Sequence, residues 1–561
     1  MSTGQELLNQ IETKFPGVIK IDHQTERIAY VSIDKEHLVE LADFLANEMM
    51  GRFVMAMGTD KRPVNQKYQI SYLFCMDQDG FEISLKVEVD ENKLEVPSIT
   101  PVIPGANWTE RELYDLLGIV PINHPDPRRL VLADDWPDDL FPLRQDFKYN
   151  DRPPAAEVKK IMKEPDGNAT VVSVGPFFPT LEEPAYFRLF VEGEKITGCD
   201  YRGFFSHRGI EKLADTVLDY NQVPFMAERI CGICGFVHSS SYCQAVEAAG
   251  EIEVPARGKY IRTIMLELER IHSHLLWIGL AGHIIGFDTV LMQSWRIREP
   301  VMWLCEQISG NRKTYGMNLV GGVRRDIPKS LHPKILETLA KIEAESKLMV
   351  DAIVKDTPLL MRLKGVGTLS REDARQLCVV GPTARASGVA TDIRVNFPYA
   401  AYADLDVKAA VQTGGDVLAR TLVRAEELFT AIDLVRQALA KMPEGPIMAE
   451  VTNIPPYREG VSLIEAPRGE SLHYVMTGPD NRPYRWVVRA PTYAQLQAVP
   501  EMLSKATVAD FPLIVASIDP CFSCTERVET IDRAKQTVKI YRHDELLQQL
   551  QNKYREGERS C

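Results

Sequence analysis

Long apolar runs are absent from this chain of 561 residues. A helix that crosses a bilayer needs about 20 predominantly apolar residues in a row. The most apolar long stretch, Leu275 to Met292, is interrupted by His283, Gly279, Gly282, Gly286 and Asp288, so it reads as buried protein. Positive charge is also in short supply, with 65 Lys and Arg against 78 Asp and Glu and a net charge of −13. Binding a phosphate backbone calls for cations clustered over one face, so nucleic acid is excluded as a partner class. Residues Met1 to Phe15 are polar and lack the apolar core of a secretory signal, which predicts a chain that is not exported. Repeats and low-complexity tracts are missing too, which sets aside solenoids and collagen-like arrays.

Cysteine is sparse, ten in all. In an unexported chain thiols stay reduced, so the question moves from disulfides to metals and nucleophiles. Six of them (Cys75, Cys199, Cys243, Cys305, Cys378 and Cys561) are scattered and read as small buried hydrophobes. What remains is an ordinary globular composition, 45% hydrophobic and 25% charged, with length for about three to four average domains.

Leu38, Leu41, Ala42, Leu45 and Met49 recur at helical spacing, whereas Tyr68, Ile70, Tyr72, Phe74 and Met76 alternate as in a half-buried strand. The Asp79-Gly80 turn signal and the alternating Ile83, Leu85, Val87 and Val89 complete a hairpin, so the first segment is α+β. From about Asp138 to Asp166 the chain turns polar and proline-containing, which predicts an extended connector and a domain boundary. Beyond it, Ile261, Ile264, Met265, Leu268, Ile271, Leu275 and Ile278 predict one long helix, and Ile335, Leu339 and Ile342 another. The expected organisation is multidomain: an α+β module over 1–150, a linker over 151–169, a mainly α-helical domain over 170–527, and a C-terminal extension over 528–561.

Four cysteines form two C-x-x-C pairs, Cys231 with Cys234 and Cys521 with Cys524. That spacing lets two thiolates turn toward one ion, and two such pairs make a four-sulfur site for soft or borderline metals. Structural zinc pairs usually lie about 15–20 residues apart, because a small knuckle folds around the ion. Here 287 positions (521 − 234) separate the pairs, so a whole domain must assemble the site. Spacing alone leaves both a structural zinc and a catalytic metal open.

The contexts narrow the choice. Arg229-Ile230-Cys231-Gly232-Ile233-Cys234 and Asp519-Pro520-Cys521-Phe522-Ser523-Cys524 resemble the two ligand motifs of NiFe-hydrogenase large subunits. The resemblance implies that Cys231, Cys234, Cys521 and Cys524 bind nickel, two of them bridging to an iron that carries carbonyl and cyanide ligands. It also implies that Cys521 is the terminal thiolate that accepts a proton when hydrogen is split. Ala466-Pro467-Arg468-Gly469 resembles the family segment whose guanidinium is held over the open metal position, which makes Arg468 a catalytic candidate. A fixed, always protonated group suits that task better than a hydrated lysine. Glu182-Glu183-Pro184-Ala185 resembles the segment that supplies a proton-carrying glutamate in complex-I-like members, with Glu183 the choice and Glu182 its neighbour. Asp519 is expected to orient the second pair, as carboxylates behind metal ligands commonly do. Glu211, in Ser206-His207-Arg208-Gly209-Ile210-Glu211, matches a carboxylate that holds a third ion, magnesium or iron, in some members. The usual histidine partner of that ion is replaced here by Arg527, which has no lone pair to give. His272 and His274 stand two apart and point in different directions on a helix, unlike a zinc-protease pair. Gly321 to Asp326 reads as a glycine turn with a solvated charge cluster.

Glu110-Arg111-Glu112-Leu113-Tyr114-Asp115-Leu116-Leu117-Gly118 and His124-Pro125-Asp126-Pro127-Arg128-Arg129 resemble the 30-kDa-type subunit of complex I, and residues from about 170 to 527 its 49-kDa-type subunit. A fusion of the two with both cysteine pairs intact is similar to the formate-hydrogenlyase group of complex-I-related NiFe-hydrogenases. The partners this implies are a small subunit with a 4Fe-4S cluster, further iron-sulfur and integral membrane subunits, a formate dehydrogenase, a maturation protease and nickel-insertion factors. It also implies a cytoplasmic location, attached to the inner membrane through those partners, and removal of the chain after Arg527 on maturation. Two rival readings are a complex-I-type quinone or NADH reductase subunit without nickel, and a non-catalytic zinc-binding assembly protein.

Overall fold

The computed structural model describes residues 3–151, 153–154, 156–157, 162–165, 167–175, 183–205, 207–504 and 506–522, with the backbone alone at 177–178, 183, 531–532 and 537–538. The N-terminal module is a five-stranded sheet flanked by helices. Its strands are β1 (Lys20–Gln24), β2 (Ile28–Ile33), β3 (Arg52–Asp60), β4 (Lys67–Met76) and β5 (Phe81–Asp90), in the order β1-β2-β5-β4-β3. Within this sheet β2 and β5 pair in parallel and the other neighbours antiparallel. The β4–β5 hairpin turns at Asp79-Gly80, where Gly80 adopts φ +68. Leu7, Leu8 and Ile11 of helix α1 (Gly4–Lys14) and Leu38 and Leu41 of helix α2 (Leu38–Asp43) cover one sheet face. The expected helix through Met49 is shorter, because α2 passes into a π-type turn at Phe44–Glu48.

β4 departs from its half-buried expectation, since every residue from Tyr68 to Met76 is buried. Tyr68, Ile70, Tyr72, Phe74 and Met76 face the module's own core. Leu73 and Cys75 join a second core with Val475, Trp486 and Val487 from the far end of the chain. The face that alternation assigns to solvent is therefore an interface. Its polar members are paired as well. Tyr30 donates to the Glu459 carbonyl at 3.2 Å, Arg485 to the Gly58 carbonyl at 2.9 Å, and Arg52 bridges Asp77 at 2.9 Å and Glu470 at 2.7 Å. The polar connector joins two units that share core on both sides of it.

The C-terminal region is built on long helices: α3 (Gly235–Ala249), α4 (Ala256–Ile284), α5 (Asp288–Ser309), α6 (His332–Lys355) and α7 (Val417–Lys441). Helix α4 runs for 29 residues and is buried nearly all round, as its apolar periodicity predicts. Two three-stranded antiparallel sheets complete the region. One contains β6 (Thr170–Val174), β7 (Tyr186–Glu192) and β8 (Lys195–Arg202). The other contains β9 (Glu459–Ala466), β10 (Gly469–Thr477) and β11 (Pro483–Arg489). Among the described residues no helix is long and apolar enough to cross a membrane.

Arg52 is the seam's principal ion. Removing it leaves the Asp77 carboxylate with the Thr391 hydroxyl but no cation, and Glu470 with only Arg489, among the described residues. Arg52→Ala should cost roughly 3 kcal/mol, the low end for breaking a buried pair. Chemical denaturation checks this, and an unchanged midpoint would show that the apolar seam holds without the ion pair.

Candidate metal centre

The first members of the two cysteine pairs converge. Cys231 and Cys521, 290 positions apart, lie with their sulfurs 3.5 Å apart, and both are buried. Helix α3 starts immediately after Cys234, which is its N-cap, so the positive end of its dipole faces the first pair. The amides of Ile233 and Cys234 donate to Cys231 Sγ at 3.4 and 3.3 Å. Both effects favour thiolate over thiol. Glu269 of α4 holds that helix start from behind, its carboxylate accepting the amides of Phe236 at 2.9 Å and Val237 at 3.0 Å and the Thr314 hydroxyl at 2.9 Å.

The second pair follows a short helix, α8 (Phe511–Ser517), and Asp519, which adopts φ +55, a conformation few non-glycine residues accept. Thr492 Oγ1 accepts the Cys521 amide at 3.1 Å. Phe522 packs against Phe187 of β7 and stacks on Tyr201 of β8. Cys524 lies outside the described residues, as do Glu182, the Glu183 side chain and Arg527; the Glu183 backbone pairs with Phe178 just ahead of β7.

Arg468 closes the arrangement. It sits at the β9–β10 turn, its Nε donating to the Asp519 carbonyl at 2.8 Å and its Nη2 lying 3.1 Å from Asp519 Oδ1. The turn needs its glycine. Gly469 has φ +129 and meets Gly381, φ +67, where an added Cβ would stand 2.2 Å from the Gly469 Cα. Burial works against the Arg468 charge, but Asp519 and the sulfurs of Cys521, Cys231 and Cys234 outweigh it and hold the guanidinium well above its usual value. Burial pushes the Asp519 carboxyl up to about 6 against the pull of Arg468 and Arg424.

A wholly buried ion network stands behind the β9–β10 turn. Arg385 contacts Glu427 at 2.7 Å and Glu465 at 2.9 Å, Arg394 contacts Asp392 at 2.7 Å and Glu267 at 3.3 Å, and Arg270 contacts Glu267 at 3.1 Å. Arg270 also donates to the carbonyls of Glu465 and Ala466, just before Arg468. His274 donates to Glu427 at 2.9 Å, and burial lowers its value to about 4, so the ring is neutral. His272 points elsewhere and has no hydrogen-bond partner among the described residues. Glu211 contacts Arg485 at 2.7 Å and accepts the Val488 amide at 3.1 Å. The Gly321 loop is less open than expected: Gly321 donates to the buried Glu247 and Asp326 pairs with Arg257 at 2.8 Å, while Arg324 and Arg325 stay exposed.

Sequence reasoning missed Glu269, Thr492 and His238. His238, one helical turn inside α3, meets His473 Nε2 at 3.1 Å, and Trp486 donates to His473 Nδ1 at 3.1 Å. That donation fixes the tautomers, with His473 donating from Nε2 to His238 Nδ1. A histidine four positions past a C-x-x-C pair was the available signal.

The residues present fit a thiolate-bound metal. No group of three His, Cys, Asp or Glu side chains closes on one point among the described residues, which omit Cys524. One sulfur from each pair nonetheless meets the other in the buried interior, and Arg468 Nη1 and Asp519 Oδ2 are buried there without partners among the described residues. Such atoms are costly unless something supplies their missing bonds.

Three family models divide this chain. Residues 31–153 match the respiratory-chain NADH dehydrogenase 30 Kd subunit, residues 208–288 the nickel-dependent hydrogenases, and residues 285–461 and 451–527 the respiratory-chain NADH dehydrogenase 49 Kd subunit. The first cysteine pair falls within the hydrogenase model, and Arg468 and the second pair within the 49 Kd model. The chain belongs to the complex-I-related hydrogenase large subunits and is an oxidoreductase of the hydrogenase class. Among its relatives is formate hydrogenlyase subunit 5 of Escherichia coli (strain K12), 43% identical over 97% of both chains. Hydrogenase-4 component G of the same organism is 40% identical over 97% of this chain and 96% of its own. A solved chain from the membrane-bound sulfane sulfur reductase, an archaeal respiratory membrane complex, superposes with a TM-score of 0.61 at 31% identity, covering 64% of this chain and 99% of that one.

Burial raises the Glu269 carboxyl to about 8 despite the hydrogen bonds it accepts. A folded-state value above the unfolded one of 4.5 means the fold binds this proton more tightly, so the contribution is full below about pH 4.5 and lost as pH rises through 8. Metal-free chain should therefore lose stability between about pH 5 and 8, and Glu269→Gln should flatten that slope. Thermal midpoints across the range test it; equal slopes in the two chains would remove Glu269 as the cause.

Proposed function

We propose that this chain is the catalytic large subunit of a membrane-associated hydrogenase of the formate hydrogenlyase type, reducing protons to hydrogen reversibly. Cys231, Cys234, Cys521 and Cys524 are the ligands of a nickel-iron centre in this reading. The observation that carries it is the approach of Cys231 to Cys521 beside the unpartnered atoms of Arg468 and Asp519. When bound, the metal pair, with carbonyl and cyanide on iron, supplies the redox chemistry at which hydrogen is formed or split.

The protein's own groups do the rest. The dry thiolate pocket excludes water. Arg468, fixed by Asp519, holds positive charge against the sulfurs and cannot lose its proton. Cys521 exchanges a proton at its sulfur, and Glu183 carries it onward. That assignment is supported by the chain order, since Glu183 leads directly into β7, whose Phe187 packs on Phe522. Electrons come from an iron-sulfur small subunit with a 4Fe-4S cluster, and the membrane link from integral membrane subunits, consistent with relatives named for multi-subunit and membrane-bound assemblies. In this reading the chain sits at the cytoplasmic face, with a formate dehydrogenase as the electron-supplying enzyme. The complex-I-type reading is favoured by the two NADH dehydrogenase models, but it gives the converging cysteines no task.

Elemental analysis separates the readings. Chain from nickel-replete cells should contain nickel with iron, and Cys231→Ala should lose the nickel and all hydrogen evolution, because one missing thiolate under-coordinates the metal. Zinc alone in the unmodified chain would support the structural reading, and no metal the quinone-type one.

We also propose that the segment Val528 to Cys561, 34 residues (561 − 527), is removed after metal insertion by a maturation protease acting with nickel-insertion factors. Its Leu546, Leu547, Leu550 and Tyr554 form only a short amphipathic stripe in sequence, and they lie outside the described residues. Intact mass should place the end at Arg527 in nickel-replete cells and at Cys561 in nickel-starved ones. A nickel-loaded, active chain that still carries Cys561 would sink this proposal.

A further inference from the structure

Two arginines one helical turn apart on α7, Arg420 and Arg424, address the segment that leads into the second cysteine pair. Both are wholly buried. Arg420 is better supplied, with only its Nε lacking a partner among the described residues. It donates to Ser517 Oγ at 2.8 Å and to the carbonyls of Gly367 at 2.6 Å and Gly415 at 2.8 Å. Arg424 has fewer partners. Its Nη1 donates to the Arg420 carbonyl at 3.1 Å, and its Nε and Nη2 have no partner among the described residues. No carboxylate stands within 4.0 Å of it there, although its guanidinium stacks over the Trp277 ring at 4.2 Å. Trp277 in turn donates to the Ala516 carbonyl at 2.8 Å. The planar fork is thus held on both sides to residues 516–517, just ahead of Asp519. Asp519 spends one carboxylate oxygen on Arg468, and its Oδ2 has no partner among the described residues. Burial pushes Arg424 down to about 10, with Asp519 the first of the groups that oppose the shift, so it stays cationic at neutral pH.

A guanidinium kept in a dry interior with unmade bonds is a poor structural choice, since packing alone would be served by an apolar side chain. We propose that Arg424 is a positioning residue of the metal centre, a second fixed cation that acts from the Asp519 side, opposite no carboxylate of its own, to stabilise negative charge on the thiolate-bound group. The inference rests on the metal-centre reading. A fixed positive charge in low dielectric, here acting across Asp519, makes the arrival of an electron more favourable. Losing it should move the centre's midpoint potential to more negative values. Arg468 alone would then balance the sulfurs, and Asp519 already draws on that charge.

The test uses the full chain matured in nickel-replete cells, with Arg424→Met and Arg424→Lys. Methionine keeps the length and the contact with Trp277 but not the charge, and lysine keeps the charge but not the planar stack. Nickel and iron are quantified, and the midpoint is read by redox titration of the nickel paramagnetic signal. The expected result is normal metal in both, a midpoint shifted negative in Arg424→Met, and recovery of most of the shift in Arg424→Lys. An Arg424→Met chain that takes up no nickel while Arg424→Lys loads fully also supports the proposal, since the charge is then needed to gather the thiolates. A loaded Arg424→Met with the unmodified midpoint overturns it, and so does equal failure of both variants to load, which would make Arg424 a packing residue. Nickel content of the unmodified chain, measured alongside, reports separately on the metal-centre reading.

Discussion

Sulfur atoms that carry or share negative charge repel one another, and in this protein they are brought together where water cannot screen them. The approach of Cys231 and Cys521 to 3.5 Å is the constraint around which the C-terminal region is arranged. Cations must be fixed nearby, and fixed cations need anchors of their own. Arg468 is held by Asp519, Asp519 is held by a strained backbone, and the turn that carries Arg468 is braced by Arg270 and the ion network behind it. A buried network of this kind contributes little net stability against apolar packing, but its directionality leaves few alternative arrangements. Precision at the turn is what such a network can deliver.

Helix α4 ties these parts to one another. Its Glu269 holds the start of α3 behind the first cysteine pair, Trp277 reaches the helix before the second, and Glu267, Arg270 and His274 face the ion network. One continuous helix therefore sets the distance between the two halves of the site. The N-terminal module supports the same geometry from outside, because Arg52 bonds Glu470, two positions after Arg468.

Features carried by neighbouring residues were legible in the sequence. The hairpin about Asp79-Gly80 and the long periodicity of α4 each depend on local spacing, and the structure has them. What failed to show was set by distant partners. Gln69 and Ser71 look like the wet face of β4, yet they are buried, with Gln69 facing Glu459 across 390 positions. No local spacing marks Arg424, whose guanidinium meets Trp277 of another helix, or Thr492, whose hydroxyl accepts the Cys521 amide. Glu269 is likewise invisible to pattern, because the helix end it caps belongs to another element.

The separation of the cysteine pairs also sets a clock. Ribosomes extend a chain by about 5–20 residues per second, so 290 positions amount to roughly 15 to 60 s between the first pair and the second. For that interval Cys231 and Cys234 exist without Cys521, and the helix dipole and amides that favour their thiolates are already encoded beside them. The nascent chain thus exposes a reactive half-site long before it can be completed, which makes the period of synthesis, rather than the finished fold, the time of greatest sensitivity to oxidants and stray metals.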